Sequence, residues 1–153
     1  MLLSAFRKIA LFALVGMPLA LPAQASTAGT SAADAVKQFM RALTDSNLTR
    51  MGELFGNAKG PVVKTRPEGY EKKIVIMQLT LHGVVATTLG DVPGKNNMRR
   101  VTTQLSNHGC KVTIPIDVVK APEGWLVWGF DLQAAQEVNK PCEGSGRPGT
   151  GGM

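Results

Sequence analysis

The chain is expected to fold as an α+β domain, with N-terminal helices packed on a curved four-stranded antiparallel sheet. The first observation is the stretch Lys111 to Lys120. Val112, Ile114, Ile116 and Val118 fall on one side and Lys111, Thr113, Pro115 and Asp117 on the other; such alternation marks a strand with one face in a core. The second is the turn signals Asn107-His108-Gly109 and Ala121-Pro122-Glu123-Gly124, which set Arg99–Ser106 and Trp125–Leu132 beside that strand as antiparallel neighbours. The third is that the apolar residues upstream recur at helical spacing, as a cover for the sheet would.

Taken in order, residues 1–25 read as a secretory signal peptide. Arg7-Lys8 is the positive region, Ile9 to Ala20 the apolar run, and Ala23-Gln24-Ala25 a small-x-small cleavage site. The run falls short of the ~20 apolar residues of a membrane-spanning helix. The expected location is therefore outside the cytoplasm, periplasmic or secreted, with no integral membrane span after processing. Residues 26–30 are expected to be a disordered leader. Residues 31–142 form the single domain that 153 residues allow, and the Gly-rich stretch 143–153 is expected to be a disordered tail. The net charge is +6, and removal of Arg7 and Lys8 leaves +4. No basic stripe is interleaved with the five Phe, two Trp and one Tyr, so nucleic acid is not an expected partner.

Ser31 is a suitable N-cap with Asp34 three residues on, and Val36, Phe39, Met40 and Leu43 form one helical stripe. Asp45-Ser46-Asn47 ends that helix. A second follows, with Leu48, Met51, Leu54 and Phe55 on one face and Gly56 as its stop. Residues 57–69 are expected to be a solvated loop carrying Lys59, Lys64 and Arg66. Tyr70 to Leu81 is ambiguous: Tyr70, Ile74, Met77 and Leu81 fit a helical stripe, whereas Ile74-Val75-Ile76 is a β-branched run. Its length and charged first turn predict helix. His82-Gly83 stops it, Val84–Leu89 is a short first strand, and Pro93 to Asn97 is the hairpin loop.

The segments Ala32–Leu43, Met51–Gly56 and Glu123–Trp128 together resemble the nuclear transport factor 2-like superfamily. The resemblance implies a curved sheet wrapped round helices as a cone with a cavity. The superfamily holds isomerases, dehydratases, transport adaptors and secretion-system components, so it leaves activity open.

Two Cys in an exported chain predict a disulfide. Cys110 opens the middle strand, and the tail carrying Cys142 emerges beside it, so a Cys110–Cys142 bridge is expected. His82 and His108 are the only His and stand far from other ligand-type residues, so neither a metal nor a cofactor is expected. Superfamily enzymes project an Asp, His or Tyr into the cavity as a proton-transfer group, and here the candidates on strands are Asp117 and Asp131. If Lys120 pairs with Trp125, then Ile114 faces Asp131, which enters the apolar side as a base of raised pKa. A slip of one residue aims Trp128 and Phe130 inward instead, and a plain solvated strand end is the simpler reading of Asp131. Tyr70, Met77 and Trp128 are the candidate ligand-lining residues, although a Met or Tyr on a helical stripe also serves as ordinary core. The last strand is apolar on both faces, which fits a homodimer through the outer sheet face. Pro115 implies a bulge or an edge nearby. The resulting expectation is an exported domain that binds a small apolar ligand or a protein partner without catalysis. The alternatives are a cavity-based isomerase or dehydratase with a carboxylate base, and a component of an envelope or secretion assembly.

Overall fold

The computed structural model describes residues 28–142. The expected signal peptide, the start of the expected leader and the Gly-rich stretch 143–153 lie outside the described residues. Helix α1 (Ala32–Thr44) begins at Ser31, whose hydroxyl accepts a hydrogen bond from the Asp34 backbone N–H. The Asp34 carboxylate accepts from the Thr30 backbone N–H at 2.8 Å, one residue before the cap, so the helix start is closed from both sides of Ser31. Helix α2 (Leu48–Leu54) is capped in the same way, by Asn47 accepting from the Arg50 N–H at 3.0 Å.

The expected loop 57–69 holds regular structure. Strands β1 (Gly56–Asn57) and β2 (Gly60–Pro61) form a small hairpin, followed by the short helix α3 (Val62–Thr65). Gly56 is where this hairpin packs tightest: a Cβ there would lie 2.3 Å from the Gly60 carbonyl oxygen and 2.9 Å from a Leu126 methyl. Tyr70–Leu81 is helix α4, and Ile74, Met77 and Leu81 are its buried residues.

The sheet has strand order β3 (Val85–Pro93), β4 (Met98–Asn107), β5 (Cys110–Ala121) and β6 (Gly124–Phe130), all antiparallel. The β4–β5 turn is tight because His108 and Gly109 both adopt positive φ, 46° and 84°, the twist that suits a two-residue hairpin. Strand β3 runs four residues beyond the expected Leu89, with Leu89 as an extra residue between the pairs Thr88–Thr103 and Gly90–Thr102. Alternation places Val101, Leu105, Ile114, Ile116, Val118 and Val127 on the inner face, all buried in the main core with Val36, Phe39 and Leu43 of α1. Removing a ring such as Phe39, which is fully buried, costs about 3–5 kcal/mol in comparable cores.

Strand β6 departs from the expected register. Lys120–Trp125 and Val118–Val127 pair as expected, but the next pairs are Asp117–Gly129 and Ile116–Phe130, so Trp128 is an extra residue. This β-bulge returns Phe130 to the inner face and ends the strand there, two residues short of Leu132. Pro115 is tolerated for the same reason. Its missing N–H would point toward β6, and β6 has already left the sheet.

The apolar outer side of β6 is used within the chain. Leu126 is fully buried with Val119, Ala121 and Ala28 in a second small cluster. Residues 28–30 of the expected leader are thus tied down, with Gly29 exchanging both backbone hydrogen bonds with Trp125 at 3.0 and 2.9 Å. Leu126 is thus covered within the chain, whereas Trp128 stays half exposed.

Cys110 and Cys142 are joined, with Cα atoms 5.5 Å apart and a separation of 32 in sequence. The bridge pins the segment after α5 (Leu132–Gln136) and its 3₁₀ turn (Glu137–Asn139) against the sheet. Closing a loop of that length stabilises by about 3–4 kcal/mol in the chain-entropy model. Cys142→Ser is therefore expected to lower unfolding stability by about 3 kcal/mol in denaturant titration, and the unreduced, unfolded wild type should show no free thiol.

The Thr30 backbone N–H on Asp34, opposed by burial and helped by the Thr30 hydroxyl, Gln38 and the Lys37 charge, holds the Asp34 carboxyl below its ordinary value of 3.8. A depressed folded pKa contributes stability that is complete above the unfolded value and is lost as pH falls through the folded one. Stability measured from neutral pH down should thus fall below about pH 4, and Asp34→Asn should be less stable than wild type at pH 7 but lose less of its stability on acidification.

Candidate functional site

Where β6 breaks off, the sheet leaves a gap that α4 does not fill. The gap is a groove of about 250 Å³ whose lining includes Phe55, Lys73, Ile76, Met77, Phe130 and Leu132. A second, wider groove of about 580 Å³ adjoins it, and Phe55, Lys73, Gly129 and Phe130 border both. The wider groove also reaches Asn57, Pro115, Asp117, Trp128 and Asp131, so it is the more polar of the two.

The aromatic base is built from three elements. Phe39 of α1 lies between Phe55 and Phe130, with ring centroids 6.0 and 6.3 Å away. Phe55 is placed there because α2 ends at it; its backbone turns extended and bridges Val127. Phe130 is there because of the bulge at Trp128. Gly129 borders both grooves, and a Cβ at this position would meet no heavy atom within 4 Å.

Two ammonium groups sit at this gap. The Lys73 Nζ lies 4.8 Å from the Phe55 ring centroid, a cation–π distance, and Lys73 borders both grooves. Lys72 borders the smaller. Neither forms an ion pair among the described residues. Of the carboxylates nearby, Asp117 accepts from the Nε and Nη2 of Arg100, at 2.8 and 3.3 Å.

Asp131 is exposed and does not enter the core. Its carboxylate caps α5, accepting from the N–H groups of Gln133 and Ala134 at 2.9 and 3.0 Å. The bulge is the physical reason, since it moves Asp131 off the register that would have faced Ile114. Met77 lines the smaller groove and Trp128, half exposed, the wider one. Tyr70 instead borders a separate depression on the other side of α4, with Leu48, Val63 and Val75. Sequence reasoning missed Phe55, Lys73, Gly129 and Phe130 as a set. The only signal available was the Trp128-Gly129-Phe130 run, whose apolar character on both faces does not fit a regular strand.

A comparison with solved structures gives a phospholipid-binding protein from Ralstonia solanacearum, determined in complex with a phospholipid. It is 12% identical, with a TM-score of 0.37 over 67% of this chain and 77% of that one. No family model matches the sequence, and no curated protein matches it. What the geometry itself defines is a mixed α and β domain with an amphipathic groove at the open end of its sheet.

Replacing Asp131 tests its role as a cap. Asp131→Ala should cost about 1 kcal/mol of stability, and Asp131→Asn, an equally good N-cap, should recover most of it; thermal melts of the two variants are the measurement.

Proposed function

We propose that the chain is an exported binding domain for a small anionic amphiphile, a molecule with an acyl tail and a carboxylate or phosphate head. The observation that carries this is Lys73, an ammonium without an ion-pair partner among the described residues, set over Phe55 where an apolar groove meets a polar one. Small-molecule sites are mostly apolar with a few placed polar groups and span about 300–1,000 Å³; the two grooves joined reach that range. The tail would lie between Ile76, Met77, Phe130 and Leu132, where each buried methylene contributes about 0.8 kcal/mol. The head would meet Lys73 and Lys72. Asp131, spent on capping, gives an isomerase or dehydratase reading no base.

The nuclear transport factor 2-like cone belongs to the same proposal. Helices α1 to α4, with the small β1–β2 hairpin among them, followed by a four-stranded antiparallel meander, support it. So does export: the disulfide is compatible with an oxidising compartment. Among the described residues no helix is long and apolar enough to cross a membrane.

The test is binding of a fluorescent fatty acid and its displacement by palmitate. Wild type should bind with one site per chain. Gly129→Val, which adds volume at the border shared by both grooves without meeting a neighbouring atom, should abolish binding without lowering the melting temperature. Lys73→Met should weaken it about tenfold, the worth of one charge-assisted contact. Unchanged binding in Gly129→Val would refute the groove as the site.

A further inference from the structure

Helix α4 carries two apolar stripes, and only one of them is spent on the core. Ile74, Met77 and Leu81 are buried, whereas Val75, Ile76 and Leu79 are 38%, 42% and 70% exposed. Leu48 of α2, 41% exposed, continues the exposed stripe, and it borders the same depression as Val75. A surface helix ordinarily turns polar residues to water on that side. The cations of the region stand around the stripe in sequence. Lys59, Arg66, Lys72 and Lys73 are exposed, and none is in an ion pair among the described residues. Between residues 59 and 73 the acids are Glu68 and Glu71, the latter bordering the depression with Leu48 and Val75, and the fifth cation there, Lys64, is paired with Glu123.

We infer that this face docks on an anionic phospholipid bilayer. An exposed aliphatic stripe flanked by lysines is the pattern of a helix that lies in a membrane interface: the apolar side chains enter the headgroup boundary and the cations meet lipid phosphates. A second copy of the chain fits less well, because a two-fold contact through α4 would set these cations against themselves. An acidic protein partner also fits less well, because the stripe lacks the aromatic and Arg anchors that concentrate energy in protein interfaces. Ile76 belongs both to the exposed stripe and to the rim of the smaller groove. The groove therefore opens on the docking face, and an amphiphile could pass between bilayer and groove along α4. That last step rests on the binding role proposed above, whereas the docking itself does not.

The test is flotation of the purified chain with vesicles rich in phosphatidylglycerol and, separately, with vesicles of phosphatidylcholine alone. The docking face predicts partition into the anionic vesicles at least about tenfold stronger than into the neutral ones, and weakening with added salt. Leu79→Asp should lower that partition about tenfold or more while palmitate binding in solution and the melting temperature stay as in wild type. Lys72→Glu should weaken it through charge alone. Equal partition into both vesicles, no partition by wild type, or wild-type partition by Leu79→Asp would overturn the inference. So would light scattering that shows a wild-type dimer split by Leu79→Asp. Vesicle docking without palmitate binding would leave the docking face standing and remove the binding role of the groove.

Discussion

One inserted residue decides where the inside of this protein ends. Up to Val127, strand β6 follows a regular register against β5, with Val127 facing Val118 in the core. Trp128 is then accommodated without a partner, and the alternation behind it is reversed. Phe130 turns in to meet Phe39 rather than facing out, and Asp131 passes beyond the sheet to cap α5. The same event ends the strand early, which leaves Pro115 without an unmet ladder partner and opens the gap beside α4. Groove, cap and proline all follow from that bulge.

Much of the architecture was legible because it rests on short-range rules. The alternation through Val112 to Val118 marked the central strand and its buried face, although Val112 proves only half-buried near the strand's start. Ser31 and Asp34 marked the start of α1, His108-Gly109 the tight hairpin, and the even cysteine count the bridge. What could not be read depended on contacts between distant segments. The apolar outer side of β6 suggested a partner chain, but Leu126 is covered by Ala28, Val119 and Ala121 of the same chain. The stretch after Gly56 looked like a plain loop, because two-residue strands that lean on Leu126 leave no periodic signature. Asp131 was placed by counting register from the turn, and a count of that kind fails at the first bulge.

Helix α4 shows why its sequence resisted a single reading. A helix with one apolar face announces itself by period; one with two faces, Ile74-Met77-Leu81 and Val75-Ile76-Leu79, blurs that period and resembles a β-branched run. The ambiguity and the exposed stripe have the same origin. A helix that must hold a core on one side and meet an apolar environment on the other has few positions left for polar residues. Its charged residues gather at the first turn, where Lys72 and Lys73 reach the grooves.

The account stands most directly on where an amphiphile would sit. Backbone amide chemical shifts recorded by nuclear magnetic resonance during titration with palmitate would locate it. The account predicts the largest changes in 69–77 and 128–132, with the outer-face strand residues Thr102, Gln104 and Thr113 unmoved. Changes concentrated on that outer face, or none at saturating palmitate, would contradict it.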